Sequence, residues 1–220
     1  MNAVICPTVL AGNATEFREQ VERIADFATR IHIDLADGHF APTKTIPLGD
    51  AWWPHGIHAD LHVMYKEPFR HTKALISLNP KMIIVHAEGE GDFARFADAA
   101  HDAGIYVGVA LKPETPPEFI APALDYIDHV LIFSGNLGHF GGQANTHLLT
   151  KVLKLKHLKP SLEIGWDGGI NDKNVATLAA GGVNVLNTGG FIQHAADPGA
   201  AYQLLERHVQ AAARHRPARG

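Results

Sequence analysis

The chain has 220 residues, of which 46% are hydrophobic and 19% charged, and its formal net charge at pH 7 is −4. This length fits one globular domain, and the slightly acidic balance argues against nucleic-acid binding, for which a clustered basic face is expected. The single cysteine, Cys6, excludes an internal disulfide and fits a reducing compartment. The sequence shows neither a signal-peptide pattern nor an apolar run of the roughly 18 residues that a membrane span needs. It therefore predicts a cytoplasmic protein with no nucleic-acid or membrane partner.

Short apolar runs alternate with helical patterns along the chain. Strands are predicted at residues 3–6, 31–36, 56–64, 82–86, 104–111, 130–133, 162–166 and 183–187, and Pro7 is expected to end the first. A helix is predicted after the capping pair Asn13 and Glu16. Further helices are predicted over 67–78, 92–103, 115–124, 146–158 and 197–213, and one more follows Asp167-Gly-Gly and ends at Ala180. Residues 214–220 are expected to form a basic, frayed tail.

Eight strand–helix units leave about 27 residues per unit, as a compact parallel (β/α)8 barrel requires. We therefore predict an α/β fold, a single TIM barrel over residues 1–213. An open doubly wound sheet is the alternative. It would need a phosphate-binding fingerprint after its first strand, and the segment 6–10 contains none.

Candidate metal ligands lie on three of the predicted strands. His32 and Asp34 are two residues apart, so they share one face of a strand whose other face is aliphatic. His62 lies on the third strand with Asp60 on the same face, and Asp167 ends the seventh. Because the C-terminal strand ends of a barrel meet around one site, these groups can hold a divalent ion such as Zn²⁺, Fe²⁺, Mn²⁺ or Co²⁺. A polar pair beside a turn is the alternative interpretation of the second strand.

Paired glycines follow the last two predicted strands, Gly168 with Gly169 and Gly189 with Gly190. Such pairs let backbone N–H groups approach an anion at the start of a helix, and barrels often bind phosphate at this position. Glycines that merely close tight turns are the alternative. Their presence at both strand ends favours a phosphate site.

These motifs resemble the ribulose-phosphate 3-epimerase family over nearly the whole chain. The matching pieces are Pro7-Thr8, His32-x-Asp34-x-x-Asp37-Gly-His-Phe40, Asp60-Leu-His-Val-Met64, His86-x-Glu88, Phe140-Gly-Gly-Gln143 and Asp167-Gly-Gly-Ile170. The resemblance implies the phosphate site of the ribulose-phosphate-binding barrels, a ketose phosphate as substrate and a homo-oligomer.

The resemblance also implies roles for individual residues. The implied ligands of one divalent metal ion are His32, Asp34, His62 and Asp167. Asp34 and Asp167 would be the acid/base pair, which inverts C3 of the ketose by removing its proton from one face to form an enediolate and returning a proton to the other face. The implied substrate contacts are Thr8, His62, Gly141, Gly142, Gly169, Gly189 and Gly190.

The chain departs from the family pattern around the pocket. Ala36 stands where methionine is usual, and Thr8 and Gly190 stand where serine is frequent. The loop before Phe140 lacks the usual Pro-Gly and is one residue longer. The smaller Ala36 is expected to weaken discrimination against a longer substrate, so a hexulose 6-phosphate 3-epimerase is one alternative function.

Two further functions are weighed against epimerisation. A metal-free decarboxylase of similar fold would need Asp-x-Lys-x-x-Asp on the second strand, and this chain has no lysine there. A non-catalytic barrel that binds a sugar phosphate would be favoured by loss of Asp34 or Asp167, and both are present.

Overall fold

A computed structural model describes residues 3–214, which form a closed barrel of eight parallel strands in sequential order, with β8 paired to β1. The strands are β1 (Val4–Val9), β2 (Arg30–Ala36), β3 (His58–Met64), β4 (Met82–His86), β5 (Tyr106–Leu111), β6 (His129–Phe133), β7 (Glu163–Asp167) and β8 (Val185–Thr188). The predicted (β/α)8 barrel is confirmed.

Helices surround the barrel and alternate with its strands. The α-helices are α1 (Ala14–Ile24), α2 (Thr72–Ser77), α3 (Phe93–Asp102), α4 (Leu149–Leu158), α5 (Val175–Ala180), α6 (Gly190–Gln193) and α7 (Pro198–Arg214). Short 3-10 helices occupy Leu48–Asp50, Pro68–His71, Pro117–Tyr126 and Thr146–Leu148. None of the helices within residues 3–214 is long and apolar enough to cross a bilayer.

The predicted helix start at Asn13 is confirmed by its cap. The side chain of Asn13 accepts a hydrogen bond from the Glu16 N–H at 3.0 Å, and the Glu16 carboxylate accepts one from the Gly12 N–H at 3.1 Å. These contacts satisfy backbone donors that a helix start otherwise leaves free. Phe17 and Ile24 are then buried against the barrel.

Several predicted boundaries were wrong. Pro7 does not end β1, because a proline removes only its own N–H from the ladder, and Pro7 still pairs in register with Thr188. The segment predicted as a helix over 115–124 is the 3-10 helix Pro117–Tyr126, in which Pro122 has no N–H for an α-helical bond. The helix predicted over 67–78 divides at Thr72 into a 3-10 helix and α2.

The C-terminal end also differs from the prediction. The short helix α6 was missed, because four residues are too few to show a helical period. The last helix extends to Arg214, which had been placed in the basic tail. Residues 215–220 of that tail lie outside the described residues.

Strand register brings the polar positions to one end of the barrel. His32 is opposite Thr8 on β1, and Asp34 is opposite His62 on β3. On the other side, Asp167 of β7 is opposite Asn187 of β8. The C-terminal strand ends therefore carry these side chains toward a common centre.

Candidate metal centre and catalytic cavity

Two imidazoles and two carboxylates meet at the C-terminal end of the barrel. One ligand atom each of His32, Asp34, His62 and Asp167 lies within 4.8 Å of the others. Asp34 Oδ1 is 2.8 Å from His62 Nδ1 and 3.3 Å from His32 Nε2, and Asp167 Oδ2 is 3.9 Å from His62 Nδ1. All four predicted metal ligands therefore belong to one cluster.

The cluster fits a divalent metal ion. The His32 side chain is fully buried, yet neither ring nitrogen makes a hydrogen bond within the described chain. An unsatisfied buried polar group destabilises a fold, so such groups indicate a missing partner. Neutral imidazole with carboxylate oxygen is a donor set that divalent transition metals accept. The side chains can thus hold such an ion.

The two carboxylates of the cluster have different acidities. Burial raises the pKa of Asp34, but the adjacent His32 and His62 rings outweigh burial and hold that pKa below its ordinary value. Burial and the negative charge of Asp34 raise the pKa of Asp167 to about 6. A pair of carboxyl groups whose pKa values are pushed apart can divide the roles of base and acid.

Polar groups behind the metal ligands support the cluster, and no role was predicted for them. His62 Nε2 lies 2.9 Å from His86 Nε2. His86 Nδ1 lies 3.4 Å from a carboxylate oxygen of Glu88, whose other oxygen accepts a hydrogen bond from Thr115. The signal was present in the quoted motif His86-x-Glu88, where residues two apart at a strand end share a face.

Asp60 lies outside the cluster although it shares a face with His62. Arg30 donates to Asp60 Oδ2 at 2.7 Å, and the same guanidinium binds both oxygens of Glu163 at 3.0 and 2.9 Å. His129 Nδ1 lies 2.8 Å from Glu163 Oε2. These groups lie nearer the N-terminal strand ends, so Asp60 has a structural partner there.

A cavity of about 360 Å³ opens above Asp34 and Asp167. Its lining includes a wall of glycines, namely Gly141, Gly142, Gly168, Gly169, Gly189 and Gly190. Gly169 has a φ of +72°, and a Cβ there would overlap the backbone of Gln143 and Ala144. The wall is therefore bare backbone, which suits close approach by an anion.

Two buried polar side chains also line this cavity without partners. Thr8 Oγ1 and both amide atoms of Asn187 make no hydrogen bond within the described residues. Thr8 was among the predicted substrate contacts, whereas Asn187 was missed, although it follows the inward alternation of β8 two residues after Val185. Of the other predicted contacts, the glycines line the cavity, while His62 is fully buried beneath it.

The space expected beside Ala36 is filled. Ala36 is 2% exposed and clusters with Ala41 and Met64, and both Phe40 and Leu137 pack on this cluster. Leu137 belongs to the lengthened loop, which is held in place by a hydrogen bond from Thr43 Oγ1 to the Gly138 carbonyl at 2.8 Å. The altered loop thus supplies apolar bulk where a small residue stands on β2.

Comparisons with known proteins agree with this geometry. The model of the ribulose-phosphate 3-epimerase family matches residues 4–192. Ribulose-phosphate 3-epimerase of Schizosaccharomyces pombe is 30% identical over 224 residues, covering 99% of this chain and 98% of that protein. The protein of that name from Helicobacter pylori strain J99 is 32% identical over 210 residues, covering 92% and 96%. The structure of 3-hexulose-6-phosphate synthase from Salmonella typhimurium matches 96% of this chain and 100% of its own with a TM-score of 0.71, and at 16% identity it shows the fold alone.

Proposed function

Because the chain belongs to the ribulose-phosphate 3-epimerase family, we propose that it interconverts D-ribulose 5-phosphate and D-xylulose 5-phosphate with one divalent metal ion bound. The observation that carries the proposal is the pair Asp34 and Asp167. Their carboxylates reach the centre from β2 and β7, two strands separated by β1 and β8, and both line the cavity.

The two carboxylates supply the proton transfers. Asp34, whose pKa is held low, is ionised and takes the proton from C3 on one face of the sugar. Asp167, whose pKa is raised to about 6, returns a proton to the opposite face. In the reverse direction the two groups exchange roles, because the same path must serve both directions.

The metal ligands would be His32, Asp34, His62 and Asp167. A divalent ion held by them would supply Lewis-acid stabilisation of the negative charge that develops on the substrate oxygens. Thr8 and Asn187 have free polar atoms in the cavity, so they are placed to bind sugar oxygens. The glycine wall would receive the phosphate group, because bare backbone N–H groups can approach an anion closely.

The packing of Leu137 favours a pentulose over a hexulose as substrate. The expectation of a longer substrate rested on space beside Ala36, and side chains of both the β2 loop and the 134–142 loop fill that space. From the sequence and the family resemblance, we also propose that the protein is cytoplasmic and forms a homo-oligomer.

The test is solvent isotope exchange. Metal-loaded protein in D2O should convert ribulose 5-phosphate to xylulose 5-phosphate and place deuterium at C3, as followed by proton NMR. A barrel that only binds sugar phosphates would bind ribulose 5-phosphate, but it would place no deuterium at C3 and would form no xylulose 5-phosphate. That outcome with each of Zn²⁺, Fe²⁺, Mn²⁺ and Co²⁺ would overturn the proposed function.

A further inference from the structure

The cavity contains little positive charge for a phosphate group. Within residues 3–214, neither lysine nor arginine lines it, and its titratable side chains are Asp34, Asp167, His139 and His194. The two carboxylates belong to the metal cluster. The imidazoles of His139 and His194 are therefore the titratable side chains of this cavity that have ring N–H groups to donate to a phosphate dianion.

His194 stands directly beside the glycines that begin α6. Its Nδ1 lies 3.5 Å from the position that a Cβ on Gly190 would occupy. The ring packs edge-on against Phe140, with 5.7 Å between centroids, and the Phe140 ring covers the place where a Cβ on Gly189 would lie. These contacts hold the imidazole at the rim of the glycine wall.

The ring nitrogens of His194 are free to bind a ligand. Neither nitrogen makes a hydrogen bond to another part of the described chain, although the His194 backbone N–H donates to the Gly190 carbonyl at 3.0 Å. His139 differs, because its Nδ1 donates to the Leu137 carbonyl at 3.0 Å. In a neutral His139 ring, Nε2 is then a hydrogen-bond acceptor and has no proton to donate to an anion.

We propose that His194 is a substrate-binding residue of this chain, whose imidazole donates to the phosphate group of the ketose phosphate beside Gly189 and Gly190. The inference rests on the proposed function for the identity of the substrate. Position 190 is glycine and has no side chain to contact the phosphate group. In this proposal His194, four residues later, provides that polar contact.

The test combines phosphate binding with steady-state kinetics on metal-loaded protein. A hydrogen bond to a charged group contributes about 1.5–3 kcal/mol, so His194→Ala should weaken binding of inorganic phosphate by about tenfold to a hundredfold in calorimetric titration. The KM for ribulose 5-phosphate should rise by a similar factor, while kcat changes by less than about threefold, because the proposed contact is to the phosphate group and not to the reacting carbon. His139→Ala should weaken phosphate binding less than His194→Ala does.

Two further variants complete the design. His157→Ala, which removes an exposed imidazole from α4, is the matched control and should change neither quantity. Gly190→Ser in the His194→Ala background should restore part of the phosphate affinity, because a serine there would project into the space beside the removed ring.

The outcomes separate this inference from the proposed function. Phosphate binding that falls in His194→Ala, in a protein that epimerises no ketose phosphate, supports His194 and overturns the function alone. An active enzyme whose phosphate affinity and KM are unchanged in His194→Ala overturns the inference alone. Wild-type protein that binds phosphate no better than His194→Ala also overturns it.

Discussion

Nε2 of His62 lies 2.9 Å from Nε2 of His86, while Nδ1 of the same His62 ring faces the carboxylate of Asp34 at 2.8 Å. When Nδ1 binds a cation, the ring proton must lie on Nε2, which then donates to His86. Burial lowers the pKa of His86 to about 4, so the ring is neutral at pH 7 and can accept this bond. The pair therefore fixes the tautomer and the orientation of a metal ligand.

His86→Ala should therefore weaken metal binding without removing a ligand. Loss of the hydrogen-bond partner of a metal ligand typically lowers metal affinity about tenfold to a hundredfold. Competition with a chelator, using Co²⁺ or Zn²⁺, measures the change. The control is His101→Ala, which removes a partly exposed imidazole paired with Asp128 at 2.9 Å. Affinity within twofold of wild type in His86→Ala would show that this contact does not support the site.

Metal removal should lower the melting temperature of the wild-type protein and should not change the melting temperature of His32→Leu. A ligand that binds only the folded state stabilises it by about 2.7 kcal/mol at a hundred times its dissociation constant. His32→Leu removes a metal ligand and replaces two unpartnered buried nitrogens with apolar atoms, so it should lose the metal response while staying folded. Thermal unfolding with and without chelator tests this, and elemental analysis should find about one ion per wild-type chain and none in His32→Leu. An equal metal response in both proteins contradicts the assignment.

Asp34→Asn and Asp167→Asn should each reduce kcat by at least about 10²–10⁴-fold, because each change removes a partner in proton transfer. Turnover and deuterium entry at C3 are the measurements, made with the bound metal quantified in each variant. The matched control is Asp98→Asn, at an exposed position on α3, which should keep wild-type kcat. Turnover within tenfold of wild type in either site variant contradicts the two-carboxylate mechanism.

Ala36→Met should destabilise the protein, and Leu137→Ala should relieve that effect. Added bulk in a packed core typically costs about 1–3 kcal/mol, and the cluster around Ala36 is already filled by Met64 and Leu137. Urea unfolding of the two single variants and the double variant gives a complete cycle. Simple addition of the two single effects would show that the loop and position 36 do not share space.

Glu88→Gln should destabilise the fold at pH 7 by an amount that shrinks in acid. Burial raises the pKa of Glu88, but the adjacent His86 ring and a hydrogen bond from Thr115 outweigh burial and lower it to about 2 from an ordinary 4.5. A carboxylate with a lowered folded pKa stabilises the fold above its unfolded pKa, and this stabilisation is lost as the pH falls through the folded pKa.

Urea midpoints of wild type and Glu88→Gln at pH 7, 5 and 4 test this effect. The difference between the proteins should be constant above about pH 5 and should decrease below about 4.5, where the unfolded carboxylate takes up its proton. The control is Glu19→Gln, at an exposed position on α1, whose midpoints should follow wild type throughout. A difference that grows toward acid would contradict the sign of the Glu88 shift.

The sequence by itself determined the barrel and most of the site, because both depend on short-range periodicity. Residues two apart on a strand share a face, so His32 and Asp34 could be placed together before any tertiary contact was known. The parallel barrel then brings strand ends to one face, which joined His62 and Asp167 to them. Glycine pairs after two strands indicated the glycine wall of the cavity in the same way.

Only the tertiary structure decided which partner each polar or small side chain meets. Asp60 shares a face with His62, yet it binds Arg30, because depth within the barrel separates side chains that the two-residue period cannot distinguish.

Leu137 fills the space near Ala36 from a loop about a hundred residues away, and no local pattern encodes that contact. His194 lies beside Gly190 because one turn of α6 places residues four apart on the same face, and this helix is too short for its periodicity to show in the sequence. Local spacing fixes the face on which a side chain lies, whereas contacts across the barrel fix its partner.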